Sequence, residues 1–184
     1  MRRAAMLLLI TTAGLAACGG ADEEAPYVCR MVERGPDVLA SELPDSPDVL
    51  NAAVCDVVPG FGGYRADFVA HTFTVLLVEP NEADAEAARA ALAESYQRPE
   101  ILSFTLSWAA TEFDYLTLRR YYNRSFGIFG IDGVASTDLD ESRGKLAFGV
   151  VNDEAAACVR QNLLTMDIPE SAFVIEPGEY VQPL

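Results

Sequence analysis

The stretch Ile101-Leu102-Ser103-Phe104-Thr105-Leu106-Ser107-Trp108 decides how the second half of this 184-residue chain folds. From residue 102 onward, apolar and hydroxyl-bearing side chains alternate with a period of two, which is the period of a β-strand. We therefore predict a strand with one face packed on a core and the other in water. The apolar side chains are those of Leu102, Phe104, Leu106 and Trp108, and the polar ones are those of Ser103, Thr105 and Ser107.

The residues after this strand predict a helix, a hairpin, a second helix and a last strand. Thr111 and Asp114 form a capping pair, so a helix is expected from there to about Asn123. Written from residue 101, the order is β-α-β-β-α-β, the ferredoxin-like or split βαβ arrangement, and the fold class is α+β. The later elements are expected at 133–139 and 145–151 for the hairpin, about 153–166 for the helix and 172–176 for the strand.

A further β-α unit precedes the ferredoxin-like pattern. Residues 72–78 are rich in β-branched and aromatic side chains, and Asn81 caps a helix that reaches about Tyr96. The glycine-rich run 59–64 marks the start of the α+β domain, which we place at 60–184. No Lys-Ser or Lys-Thr follows these glycines, so they are expected to relax an edge strand or bulge rather than to cradle phosphate.

A short helical segment is expected at 27–59, before the α+β domain. The motif Pro36-Asp37-Val38-Leu39 recurs as Pro47-Asp48-Val49-Leu50. Proline suits the first position of a helix and an acid suits its first turn, so each copy predicts a helix start. Ser46 supplies an N-cap for the second copy.

The N-terminus has the layout of a secretory signal. Arg2 and Arg3 precede a short apolar run, and small residues lead to Leu15-Ala16-Ala17-Cys18. The apolar run is too short to span a bilayer, which needs roughly 20 apolar residues. Leu15-Ala16-Ala17-Cys18 resembles the lipobox of bacterial lipoproteins. The resemblance implies that the signal 1–17 is cleaved and that Cys18 becomes an acylated first residue held in the lipid bilayer.

The residues after Cys18 suit a tether. The run 18–26 is small and acidic and has little to bury, as expected of a flexible linker. We expect a cell-envelope protein, lipid-anchored to the cell membrane or the outer membrane and facing the periplasm or the exterior. By family analogy, Gly19 favours the outer membrane. An ordinary signal with an incidental cysteine, or a buried N-terminal helix, are the alternatives.

Three cysteines remain once Cys18 is assigned to lipid. In an oxidising compartment two of them are expected to pair. Cys29 and Cys55 lie in the same N-terminal segment, so they are the preferred disulfide. Cys158 stands among alanines and is expected to stay single, as a small buried helix residue.

The charge balance excludes a nucleic-acid role. Thirteen basic residues face 28 acidic ones, and removal of 1–17 with its two arginines leaves a net charge of −17. Nucleic acids and anionic headgroups bind through Lys and Arg, so both are repelled by such a chain.

The composition and motifs favour a non-enzymatic module that binds a protein or peptide partner. Helices on one face of the sheet would leave the other face open, and the partner is expected to bind that face or an edge strand. The order of elements also resembles the pro-region domains of alpha-lytic-type and streptogrisin-type bacterial serine proteases. That resemblance implies packing against an exported enzyme and assigns no site residues. The expected partner face consists of Ser103, Thr105, Ser107, Ala147 and Gly149.

No catalytic, metal or cofactor constellation is predicted. The single histidine, His71, is expected in a hairpin or on the surface. Asp138, Asp140 and Ser142 have the spacing of calcium ligands, but the glycine and the last acid that such a loop needs are missing. The alternative function is an enzyme or small-ligand carrier, with a pocket between helices and sheet that relies on acidic residues.

Overall fold

A computed structural model describes residues 27–37 and 46–179, so the lipobox-like stretch, the expected tether and 38–45 lie outside the described residues. Among the described helices, none is long and apolar enough to cross a membrane. The helices are α1 (Pro47–Val57), α2 (Glu82–Ser95), α3 (Tyr115–Arg124) and α4 (Asp153–Thr165), with short 3-10 helices at Pro99–Ser103, Phe126–Gly130 and Glu170–Ala172. The strands are β1 (Phe61–Asp67), β2 (Thr72–Leu77), β3 (Thr105–Ala110), β4 (Val134–Asp140), β5 (Lys145–Val150) and β6 (Phe173–Pro177).

The described strands form two sheets of three strands each. In the first, β2 lies between an antiparallel β1 and a parallel β3, and in the second, β5 lies likewise between β4 and β6. The α+β class is confirmed. The ferredoxin-like arrangement is not, because β3 pairs with β2 of the preceding β-α unit instead of joining the strands after residue 130 in one sheet.

The two halves of the described domain repeat one unit of order α-β-β-α-β. Their hairpin turns match in detail. The acid at the end of the first strand, Asp67 or Asp140, accepts hydrogen bonds from the backbone N–H groups two and three residues later. The residue four positions after that acid has a positive φ in both turns, 50° at His71 and 60° at Gly144.

The helices that connect the two parallel strands of each half, α2 and α4, also begin and end alike. The Asn81 and Asn152 side chains accept the N–H three residues later, at 2.9 and 2.8 Å, so Asn81 caps α2 as expected and, of the two candidate caps Asn152 and Asp153, Asn152 caps α4. Both helices end with a residue of positive φ, 53° at Gln97 and 58° at Asp167, which satisfies the last carbonyls. The same backbone is therefore used twice with different side chains.

A single apolar core joins the helices to both sheets. The sequence pattern puts Ala85, Ala88, Leu92 and Tyr96 on the buried side of α2; the first three are fully buried and Tyr96 is partly buried. It puts Ala156, Val159, Leu163 and Met166 on the apolar stripe of α4; the last three are buried and Ala156 is partly buried. Alanine at these contacts lets each helix approach its sheet closely.

Two expected helix starts differ in outcome. Ser46 caps α1 with its hydroxyl and Pro47 is its first residue, as predicted. Pro36 and Asp37 are not helical, and the rest of that expected helix falls in 38–45, outside the described residues. For α3, Asp114 is the N-cap instead of Thr111, because its carboxylate accepts the Thr117 N–H at 2.8 Å.

The disulfide joins Cys29 to Cys158, so the expected Cys29–Cys55 pairing is wrong. Cys55 is a free, buried residue of α1. The segment 27–37 runs extended across α4, where the buried Asn162 side chain accepts the Val32 N–H at 2.8 Å and donates to the Arg30 carbonyl at 3.1 Å. This long-range packing brings Cys29 to the helix that carries Cys158.

Candidate binding surfaces

The expected partner face is divided between the two sheets. Ser103 ends a 3-10 helix, and Thr105 and Ser107 lie on β3; all three are exposed. Ala147 and Gly149 lie instead on β5, the central strand of the second sheet, and are buried between its neighbours. The five residues therefore do not form one surface, because the single sheet that would have joined them is absent from the described fold.

Strand β3 is an edge of the first sheet. The Thr105 N–H donates to the His71 carbonyl, and the Thr111 N–H donates to the Leu77 carbonyl. The backbone N–H and C=O groups of the odd-numbered residues between them therefore point towards β2. The backbone groups of Leu106, Trp108 and Ala110 consequently point away from the sheet. Within the described part of the chain, no strand pairs with them.

The sequence of β3 leaves this edge unprotected. Exposed edges usually carry charges, proline or bulges that prevent pairing with another chain. The strand Thr105–Ala110 reads TLSWAA, with no charge and no proline, and its pairing with β2 has no register shift. Five of its six residues are exposed, and Trp108 keeps 40% of its surface accessible.

The other described edge strands are protected. β1 carries Arg65 and Asp67 and a register shift near its start. β4 carries Asp138 and Asp140 and a shift at the equivalent place. β6 is five residues long and ends in Glu-Pro. Among the described edges, β3 alone offers an uncharged and regular strand to another backbone.

A second feature is a cavity of about 420 Å³ between α1, β1, α3 and the β4–β5 turn. We call it the acidic cavity, because three carboxylates line it, those of Asp48, Asp138 and Glu141. Its aromatic walls are Tyr64, Tyr96 and Tyr122.

Hydrogen bonds fix the walls of the acidic cavity. The fully buried Asn51 side chain donates to Glu141 at 3.3 Å and accepts from the Tyr96 hydroxyl at 3.1 Å. The buried Tyr115 hydroxyl donates to Asp48 at 2.8 Å. The cavity is therefore built from residues that distant parts of the sequence hold in place.

Close approach of the β4–β5 turn requires a glycine on β1. Gly63 has a φ of 146°, and a Cβ there would lie 2.2 Å from the Glu141 carbonyl oxygen. Any side chain at this position would force the turn away, so Gly63 is what allows Glu141 to reach the cavity.

Burial makes ionisation costly in this cavity. Burial, and then the neighbouring Asp138, Asp48 and Asp140 carboxylates, raise the pKa of Glu141. Burial is also the main cause of a raised pKa at Tyr96, so its hydroxyl stays protonated and donates. Arg119 is a nearby cation, 3.8 Å from Asp48.

A smaller cavity of about 230 Å³ shares Tyr64 and Tyr96 with the acidic cavity. We call it the apolar cavity, because Ala66, Phe68 and Phe73 are among its lining. It ends at the Arg98–Glu100 ion pair, whose closest atoms are 3.2 Å apart.

The other chemical candidates have structural roles. His71 lies in the β1–β2 turn with its ring centroid 5.3 Å from that of Phe104. Asp140 caps its own hairpin turn, and no group of three or more potential metal ligands occurs among the described residues. Burial raises the pKa of the free Cys55 thiol to about 12, so it is a poor nucleophile at neutral pH.

The sequence predicted the strand, an edge strand as one possible binding element and, as the alternative function, a pocket that relies on acidic residues, but it did not indicate which strand forms the edge or which residues line the cavity. The alternation at 101–108 predicted a wet face, whereas the unpaired backbone depends on which strands are neighbours. Tyr64, Tyr96 and Glu141 form no local motif, and only the fold brings them together. Comparison with protein-family models, curated proteins and solved structures finds no match for this chain.

Proposed function

We propose that the chain is a lipid-anchored envelope protein, without enzymatic activity, that binds an extended segment of an exported protein along β3. The single observation that carries the proposal is the unprotected edge, with its uncharged strand and outward backbone groups. Such an edge binds a peptide by extending the sheet, with main-chain hydrogen bonds for affinity and side chains for selectivity.

Trp108 is the side chain expected to contribute most to the proposed interaction. Tryptophan is enriched among the residues that contribute most to protein interfaces. Its partner in the register of the sheet is Val75, a fully buried core residue, so the ring sits at the boundary between core and edge. A bound segment would cover its exposed surface.

Charge decides which segment fits. The chain has a formal net charge of −15, or −17 without residues 1–17, so two copies repel each other and an acidic partner is disfavoured. We assign the edge to a segment of a protein with a basic surface. Self-association through β3 is the competing outcome, and light scattering of the purified protein distinguishes it.

The edge is tested by photo-crosslinking with the full chain in its own envelope. Benzoylphenylalanine at Ala109, an exposed position on β3, is expected to give one discrete adduct, whereas the same residue at Ser136, exposed on the protected edge β4, is not. Ala110→Lys adds the kind of charge that protects edges and should abolish the adduct.

Backbone protection separates strand addition from a side-chain contact. The partner identified by the crosslink is added to the purified protein, and amide hydrogen exchange is measured. The N–H groups of Leu106, Trp108 and Ala110 should become protected. Adducts of equal yield at Ala109 and Ser136, or unchanged exchange in β3, would refute the proposed mode of binding.

The lipid anchor at Cys18 is tested separately from the β3 edge. Radiolabelled palmitate should be incorporated in a bacterial host, and Cys18→Ser should release the protein from membranes. One acyl chain binds a bilayer only reversibly, whereas two or more hold it stably. A Cys18→Ser protein that remains equally membrane-bound would contradict the anchor without affecting the edge.

A further inference from the structure

The acidic cavity and the apolar cavity adjoin each other at two shared tyrosines, and we call the two together the groove. Tyr64 of β1 and Tyr96 at the end of α2 line both compartments. Carboxylates line one side of this tyrosine pair, and Ala66, Phe68 and Phe73 lie on the other. The shared tyrosines thus place a charged region next to an apolar one.

The tyrosine rings that divide the groove are held in place. Tyr64 stacks on the buried Phe73, with ring centroids 5.4 Å apart and an interplanar angle of 17°. Tyr96 meets Tyr64 edge-on at 6.1 Å and is fixed by its hydrogen bond to Asn51. Ordered rings present their electron-rich faces without an entropic cost on binding.

Among the described residues, three carboxylates line the acidic compartment, those of Asp48, Asp138 and Glu141, and the Arg119 guanidinium lies 3.8 Å from Asp48. Asp138 is exposed, and the Glu141 carboxylate accepts a hydrogen bond from the neutral Asn51 amide. Carboxylates next to aromatic faces attract organic cations through charge and through cation–π contact.

We infer that this groove binds an amphiphilic ammonium compound, with the cationic head between Glu141, Asp138 and the tyrosines, and the alkyl part over Ala66 and Phe68. Phe68 keeps 63% of its surface exposed although it lines the apolar cavity, so an alkyl chain there covers accessible apolar surface. This site lies on the β1 side of the first sheet and is independent of the proposed β3 edge.

The test is calorimetric titration of the purified protein with hexyltrimethylammonium, tetramethylammonium and 1-hexanol. The first should bind, and each of the other two, which carry only the head or only the chain, should bind at least ~10-fold more weakly, since each loses one of the two contributions. Equal affinity for hexyltrimethylammonium and 1-hexanol, or no binding of hexyltrimethylammonium, overturns the inference.

Variants identify the compartment that holds the head. Glu141→Gln keeps the acceptor for Asn51 and removes the charge, so the Kd should rise ~10-fold, as expected for loss of a charged partner. Asp138→Asn, at an exposed position, should raise it ~3-fold and guards against a folding defect in the first variant. Glu154→Gln is the matched control on exposed α4 surface and should leave the Kd unchanged; equal effects of all three variants would refute the assignment.

Discussion

Breaking the Cys29–Cys158 disulfide should strongly destabilise the domain. The bond closes a loop across 129 residues of sequence. The chain-entropy relation gives about 5 kcal/mol for a loop of this length, and real disulfides often contribute less. We expect Cys29→Ser/Cys158→Ser to lower the free energy of unfolding by about 3–5 kcal/mol.

We expect a loss close to the chain-entropy value because the folded state changes little when the disulfide is removed. Segment 27–37 keeps its hydrogen bonds to Asn162, its Gly35 N–H to the Arg124 carbonyl at 2.8 Å, and the ion pair of Arg124 with Asp37 at 2.7 Å. The effect therefore falls on the unfolded chain, which gains the freedom that the closed loop denied it.

The assay is urea unfolding of the oxidised protein and of the double variant, followed by circular dichroism. A loss of 4 kcal/mol at a slope of roughly 2 kcal/mol per molar urea shifts the midpoint by about 2 M. Reductant should lower the midpoint of the oxidised protein and leave that of the double variant unchanged. Equal midpoints, or a non-reduced peptide that joins Cys29 to Cys55, would refute the reasoning.

Three further changes test the packing around the proposed sites. Asn162→Ala leaves the Val32 N–H without its buried acceptor and should cost about 2–3 kcal/mol in urea unfolding; a loss below 1 kcal/mol would contradict the role of Asn162 in holding segment 27–37. Gly63→Ala should cost about 2–4 kcal/mol, because its φ is 146° and a Cβ would collide with the β4–β5 turn, whereas Gly130→Ala, where a Cβ has open space, should stay within about 0.5 kcal/mol. Glu141→Gln should raise the Tm at pH 7. Because the pKa of this buried carboxyl is raised in the folded protein, the wild type loses stability as the pH rises above the ordinary pKa of 4.5. The advantage of the variant should therefore vanish towards lower pH. A Tm difference that does not depend on pH would argue against this origin.

The local elements were predictable because their signals are short-range. Asn81 caps α2 as the sequence indicates, Asn152 is one of its two candidates for α4, and each cap needs only the next three residues. The strand expected at 101–108 begins instead at Thr105, because Pro99 starts a 3-10 helix that takes up residues to Ser103. Boundaries shift where a proline can begin a turn of helix as readily as it can end one.

Pairing between distant elements could not be read from the sequence. β1 contains Gly62 and Gly63, which weaken any strand pattern, yet it completes the first sheet as an edge with a bulge, as those glycines suggested. Cys29 likewise pairs with a helix 129 residues away because segment 27–37 crosses α4, and no spacing rule encodes that path.

The position of the disulfide also determines how the molecule would bear a mechanical load. If the chain is anchored at Cys18, any pull from the membrane passes through at most eleven residues, roughly 40 Å of extended chain, before it reaches Cys29. For a load applied between the anchor and the chain after Cys158, the covalent bond transfers the tension from Cys29 to Cys158 and bypasses the residues between them. Such a load does not peel the first sheet from its N-terminal end, and it is borne mainly by α4 and the strand that follows it.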